Sequence, residues 1–119
     1  MSLVETPLMK SLARYLDVTA YRQGVVSANI ANIDTPGYRA RDINFRQELD
    51  KALQAPDAPL APRTQEVQGL LERPDGNSVN LDREGLLLAQ TQLQFTTGIA
   101  LLRSELRRIS MAITEDKGQ

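Results

Sequence analysis

The stretch S-A-N-I-A-N-I-D-T-P-G-Y-R-A-R-D, residues 27–42, decides the fold, because a helical pattern stops inside it and an Arg-rich extended run leaves it. Within Asp34-Thr35-Pro36-Gly37 the proline and glycine stand at i+1 and i+2 of a type II turn, and the residue before a proline is pushed out of the helical region. A helix entering this stretch must therefore end by Thr35.

Upstream, Thr6 is a good N-cap and Pro7 suits the first helical position, where its missing N–H costs nothing. Met9, Leu12, Leu16, Thr19, Gln23, Val26, Ile30 and Ile33 then recur at alternating spacings of three and four, the seam of a coiled-coil helix. Thr19 and Gln23 interrupt that seam as either a partly exposed stretch or a register-setting polar layer, and Gly24 lowers helix propensity by roughly 1 kcal/mol relative to Ala.

Downstream, Tyr38, Ile43 and Phe45 alternate with polar residues as an extended segment, and residues 47–54 have the makings of a helical turn or two. Residues 55–63, A-P-D-A-P-L-A-P-R, place proline at every third position and predict a polyproline II connector without internal hydrogen bonds, outside the core. Pro74-Asp75-Gly76-Asn77 predicts a hairpin turn between Val67, Leu70 and Leu71 on one arm and Val79 and Leu81 on the other.

Asn80 is a plausible N-cap for a last helix, over residues 82–114, with Asp82 and Glu84 in its first turn. Leu88, Gln92, Phe95, Ile99, Leu102, Leu106, Ile109 and Ile113 form its seam, while Leu86, Ala89, Leu93 and Ala100 add a second apolar flank. The expected fold is mainly α: long N- and C-terminal helices pair as an antiparallel coiled-coil-like hairpin, joined by an extended middle segment that is partly β-hairpin or disordered. The chain reads as one domain over residues 1–119, divided into helix and turn (1–35), middle segment (36–81) and C-terminal helix (82–119). One helix pair leaves Leu86, Leu93 and Ala100 facing water, so the terminal helices are expected to order on packing with further chains.

Composition narrows the function. The 119 residues contain no Cys and no His, which removes disulfides, thiolate nucleophiles, zinc sites and the commonest general base. The carboxylates are scattered among arginines with no calcium-loop pattern, so neither a metal nor a cofactor is expected, nor an enzyme such as an acidic-residue hydrolase. Fourteen basic against fifteen acidic residues give a net charge of −1, too balanced for a nucleic-acid surface. No run reaches the ~20 apolar residues of a transmembrane span, and the N-terminus lacks the pattern of a cleaved signal.

A-N-I-A-N-I-D-T-P-G-Y-R closely resembles the A-N-x-A-N-x-x-T-P-G-Y signature of the bacterial flagellar axial proteins, the rod and hook family. The motif residues are Asn29, Asn32, Thr35, Pro36, Gly37 and Tyr38. A-R-D-I-N-F after the turn, and D-G-N-S-V-N-L-D-R-E-G-L-L-L-A-Q-T-Q-L-Q-F before the long helix, resemble the short proximal-rod members. The chain departs in Phe95, where tyrosine is common, and in its Pro-rich middle.

The resemblance implies a structural subunit of the basal-body proximal rod, the drive shaft crossing the periplasm, exported through the flagellar type III apparatus without a cleaved signal. Its partners would be other rod proteins above and the FliE-type adaptor and membrane ring below, in homo- and hetero-oligomeric contact. The assembly seam would then comprise Leu12, Leu16, Val26 and Ile30 with Leu88, Phe95, Ile99, Leu102, Leu106, Ile109 and Ile113. Arg39, Arg41 and Arg46 are either a solvated face or intersubunit charges. A helical-hairpin adaptor or export chaperone that clasps a partner helix without polymerising is the alternative.

Overall fold

The computed structural model describes residues 5–117; the remaining termini of the domain expected from the sequence lie outside them. Five elements follow in order: α1 (Pro7–Ala31), β1 (Arg41–Ile43), α2 (Phe45–Gln54), β2 (Thr64–Glu66) and α3 (Leu81–Lys117). The molecule is a rod of 72 × 25 × 19 Å, because α1 and the longer α3 lie antiparallel along its axis.

Both long helices begin where their caps direct. Thr6 Oγ1 accepts the Met9 N–H at 3.1 Å with Pro7 just inside, and Asn80 Oδ1 accepts the Arg83 N–H at 3.0 Å. At the far end of α1, Asn32 closes the helix by donating its backbone N–H to Ala28 and Asn29, and its side-chain amide donates to the Ala28 carbonyl at 2.8 Å. The chain then turns through Thr35–Tyr38, with the Tyr38 N–H on the Thr35 carbonyl and Gly37 at φ 76°, as the Pro-Gly pair requires.

The middle segment is more structured than the sequence suggested. β1 pairs with β2 in antiparallel register, Arg41 opposite Glu66 and Ile43 opposite Thr64, with α2 on the chain between them. The turn at 74–76 forms, closed by Gly76 N–H to Arg73 O and Arg73 N–H to Asn77 O, but it carries no strands. The expected arms are absent: Leu71 is 90% exposed, while Val79 is buried. Residues 67–79 instead direct their backbone bonds to the corner after α1, with Val67 N–H on Ala40 O and Ser78 N–H on Tyr38 O.

The Pro-rich connector likewise departs from a free spacer. It contains an internal bond, Ala58 N–H to Ala55 O, and Leu60 packs on the hydrophobic cluster of Val18, Ile43 and Ala52. Buried Arg14 of α1 pins it by donating to the carbonyls of Ala55 (2.9 Å) and Ala58. The apolar cluster thus sits where α1, α2, β1 and the connector meet, edged by a T-shaped Tyr15–Phe45 contact at 5.8 Å.

The α1–α3 seam has a different character. The face of α3 turned toward the body carries Glu84, Thr91, Gly98 and Glu105, one heptad position repeated, and all four are buried. Leu88, Phe95, Leu102 and Ile109 flank it, half-buried. Gln92, Ile99, Leu106 and Ile113, the other half of the expected seam, are exposed. Thr19 is fully buried yet makes no polar layer between helices, because its hydroxyl donates to Tyr15 O at 2.7 Å in its own helix and leaves its methyl to pack.

Candidate functional site

Two surfaces carry the chemistry of this chain: a polar clasp at the corner and an uncovered apolar face along α3. The clasp centres on Asn29, which is fully buried and uses all four hydrogen-bonding positions of its amide. Its Nδ2 donates to Arg41 O (2.8 Å) and Glu84 Oε1 (2.8 Å); its Oδ1 accepts from Tyr38 Oη (3.0 Å) and the Arg41 N–H (3.1 Å). One side chain at the end of α1 therefore holds the motif tyrosine, the first residue of β1 and the first turn of α3.

Charges close the clasp. Arg83 bridges Glu84 (2.9 Å) and Asp42 (3.0 Å), and Arg22 of α1 makes a two-pronged contact with Asp42 at 3.0 Å. Burial by itself pushes the Asp42 carboxyl up, but hydrogen bonds from Arg22 and the Ile43 N–H, with the Arg22 charge and a further bond from Arg83, hold it below its ordinary value. The Tyr38 phenol is pushed up by burial, against a smaller opposing effect of Arg41.

A second buried amide joins the two sequence motifs. Asn77 Nδ2 donates to Asn32 O (2.9 Å) and Thr35 O (2.8 Å), capping the end of α1, while its Oδ1 accepts the Val79 N–H. Arg73 reaches the carbonyls of Val79 and Ile33, Ser78 Oγ accepts the Ala40 N–H, and Gly37 N–H meets Asp75 O at 2.8 Å. The T-P-G-Y and D-G-N-S stretches, forty residues apart, form one structural unit.

The other named residues distribute as follows. Leu12 and Val26 are buried, Leu16 and Ile30 half-buried, and Thr35 and Pro36 exposed at the turn. Arg39 is engaged inside the chain, paired with Glu66 (3.1 Å) and Glu72 (2.9 Å), as is Arg41 with Thr64, whereas Arg46 is exposed. Asp42, Asn77, Ser78, Arg83 and Glu84 lie in the two stretches that carry the resemblance, and Glu84 also in the first turn of α3, but no contact was expected of any of them, and Arg22 and Arg73 were not singled out at all. For Glu84 a further signal is the non-aliphatic heptad that it begins, continued by Thr91, Gly98 and Glu105.

The apolar face is on the outside of α3. Leu86 and Leu93, 71% and 67% exposed, stand seven residues apart on one flank, and exposed Ile99, Leu106 and Ile113 follow at seven-residue intervals on a second flank about a third of a turn round. Among the described residues no group of acidic side chains is placed to hold a metal, and no helix is long and apolar enough to cross a membrane.

An elongated helix pair with a rigid corner and an uncovered apolar face defines a structural, assembling protein, with surfaces rather than a pocket as its working parts. A family model described as "Flagella basal body rod protein" matches residues 12–39, from the second turn of α1 through the corner. Flagellar basal body rod protein FlgB of Escherichia coli K12 is 37% identical over 113 residues, covering 77% of this chain and 82% of the relative. That of Salmonella typhimurium LT2 is 34% identical over 117 residues with the same coverage, and that of Borreliella burgdorferi is 59% identical over 39 residues, 33% of this chain and 29% of the relative. The chain belongs to the FlgB family of flagellar basal body rod proteins, and it is a structural component rather than an enzyme.

Proposed function

We propose that this basal-body rod component is a subunit of the proximal rod that self- and co-assembles through its terminal helices into the periplasm-spanning drive shaft. The observation that carries this is the pair of exposed aliphatic flanks on α3, Leu86 and Leu93 on one and Ile99, Leu106 and Ile113 on the other. Each of these five aliphatic side chains gains about 1 kcal/mol from the burial still open to it, since full burial gives about 1.5–3. Their sum lies near the low end of the ~4–15 kcal/mol that association costs. One neighbour gives a marginal complex; several neighbours around a tube give a stable one.

The partners of this reading are other rod proteins, the FliE-type adaptor and membrane ring at the base, and the flagellar type III export apparatus that delivers the chain to the periplasm. A chain that reaches its full set of contacts only in the tube stays free of premature polymers during delivery. Fractionation tests it: the protein should copurify with basal bodies from motile cells through high-salt washing. Recovery only as a soluble one-to-one complex with a second protein would instead mark an adaptor or chaperone.

A further inference from the structure

α3 does not turn its aliphatic stripe to α1. In heptad terms Leu88, Phe95 and Leu102 hold position d and Gln92, Ile99 and Leu106 hold position a, the pair of positions that meets a partner helix. The buried Glu84, Thr91, Gly98 and Glu105 all hold position g, which ordinarily flanks a helix pair and carries charge. At 3.6 residues per turn the a and d stripe is centred about 70° round the helix from the g stripe. Ile99 and Leu106 are consequently 39% and 45% exposed, although the corresponding stripe of α1, Leu12, Leu16, Val26 and Ile30, is buried or half-buried.

Polar bonds hold position g inward at both ends of the pair. Asn29 Nδ2 donates to Glu84 Oε1 at the corner, and Thr6 Oγ1 donates to Glu105 Oε2 at the far end, each at 2.8 Å. The middle is less well satisfied. Gln94, one turn before Gly98, has its Oε1 buried without a hydrogen-bond partner among the described residues, which is costly and belongs to this rotation of the helix. The fit there also depends on a glycine, since a methyl on Gly98 would fall 2.7 Å from Leu16 Cδ2.

We propose that α3 has a second rotation about its own axis, about 70° from the first, in which its a and d stripe packs on α1 of the same chain, and that the corner clasp is the latch that selects the rotation observed. The turn that brings Ile99 and Leu106 onto α1 moves Glu84 and Glu105 to the flank of the pair and carries Gln94, at position c, out to water. Against these gains stand the lost bonds of Glu84 and Glu105 and the exposure of half-buried Leu87, so the choice rests with the corner. With the latch closed, Ile99 and Leu106 are open to a neighbour; with it released, the chain's own α1 covers them. The device concerns two helices of one chain and stands whether or not the rod reading does.

The chain has no cysteine, so single cysteines report on each stripe without background. Ile99→Cys lies on the outward stripe and Thr91→Cys, at a fully buried position, on the inward one. Maleimide labelling of each is compared in the purified full-length chain with and without Glu84→Ala, helix content being followed by circular dichroism. Releasing the latch so that about nine-tenths of the chains rotate should slow labelling of Ile99→Cys about tenfold and speed that of Thr91→Cys. Faster labelling at both sites means that α3 has come away from α1, and unchanged rates mean that the latch selects nothing; either overturns the proposal. If Glu84→Ala loses its helix, Gly98→Ala decides, because it presses on Leu16 from the middle of the pair with the clasp bonds intact. The same opposed change in the two rates supports the second rotation, and any other result there, loss of helix included, overturns it.

Discussion

Asn29 of α1 and Glu84 of α3 are both fully buried, and the Asn29 Nδ2 donates to Glu84 Oε1 at 2.8 Å. This bond sets the rotation of α3 about its own axis. With Glu84 turned inward, Thr91, Gly98 and Glu105 follow it at seven-residue intervals onto the α1-facing side, and the aliphatic residues one position further round are carried outward. The exposed face proposed for assembly is thus a consequence of a polar contact at the corner.

Asn29→Ala removes four hydrogen bonds and leaves the Arg41 carbonyl and one Glu84 oxygen short of a donor. Buried unsatisfied groups cost about 1–3 kcal/mol each, so the loss should be about 2–4 kcal/mol. Asn29→Asp keeps the size but sets a second carboxylate against Glu84 and should destabilise at least as much at pH 7. Urea unfolding of the purified chain followed by helical circular dichroism checks both; a loss below about 0.5 kcal/mol for either would show that the clasp does not hold the corner.

Gly98 of α3 is packed tightly against Leu16 and Tyr15 of α1. A methyl built there falls 2.7 Å from Leu16 Cδ2 and 3.3 Å from the Tyr15 ring, whereas one at Gly24 of α1 meets nothing within 4 Å. Both glycines lose roughly 1 kcal/mol of helix propensity relative to alanine. Gly24→Ala should therefore stabilise by up to about 1 kcal/mol, while at Gly98 overpacking of about 1–3 kcal/mol outweighs the same gain. Opposite shifts in melting temperature are the expected outcome, and a raised value for Gly98→Ala would count against close packing of α1 on α3.

Much of this architecture was legible in the chain. Thr6-Pro7, Thr35-Pro36-Gly37 and Asn80 act locally, through bonds to residues three or four away, so their effects can be read from sequence alone. The rotation of α3 was not legible, because an apolar seam of period 3.5 reports where a helix is oily and not which side its partner takes. The aliphatic side chains that α1 might have offered to that seam, Val18 and Val25, face α2 and β1 instead. The strand pairing was missed for a similar reason. Arg41–Ile43 and Thr64–Glu66 are three residues each, too short for an alternating pattern to register.

The acid limb of stability should report Asp42. Its carboxyl is held below the ordinary value in the folded chain, so on acidification the unfolded chain takes up the proton first. The contribution is complete above the ordinary Asp value of about 4 and is lost as pH falls through the depressed folded value. Asp42→Asn should be less stable at pH 7 and show a shallower decline from pH 5 downward, apart from what Glu105, also lowered chiefly by its Arg108 hydrogen bond, contributes. Tyr38 acts in the opposite limb: raised by burial, it contributes below the ordinary tyrosine value of about 10 and loses that contribution at higher pH. Equal acid slopes in the Asp42→Asn and unmodified chains would remove Asp42 from the clasp.

Gly37 and Gly76 meet across the corner, and their substitution should not be additive. Both have positive φ, 76° and 85°, where a side chain is strained by about 1–3 kcal/mol. A Cβ on Gly76 would also lie 3.3 Å from Gly37 Cα, so the two turns pack backbone against backbone, joined by the Gly37 N–H on Asp75 O. Gly76→Ala should strain its own turn and push Gly37 away, whereas Gly37→Val, whose Cβ meets nothing within 4 Å, should act through strain in its own turn that draws its N–H from Asp75 O; either loses contacts that both turns share. Once those are lost, the second substitution has only its own strain left to add. A double-mutant cycle on unfolding free energy should show the pair costing less than the sum of the singles, by about 0.5 kcal/mol or more. Swimming should fail in cells carrying either variant, since a displaced corner frees Asn77 from the end of α1 and with it the setting of α3. Strict additivity together with normal swimming would mean that the two turns are independent of each other and of assembly.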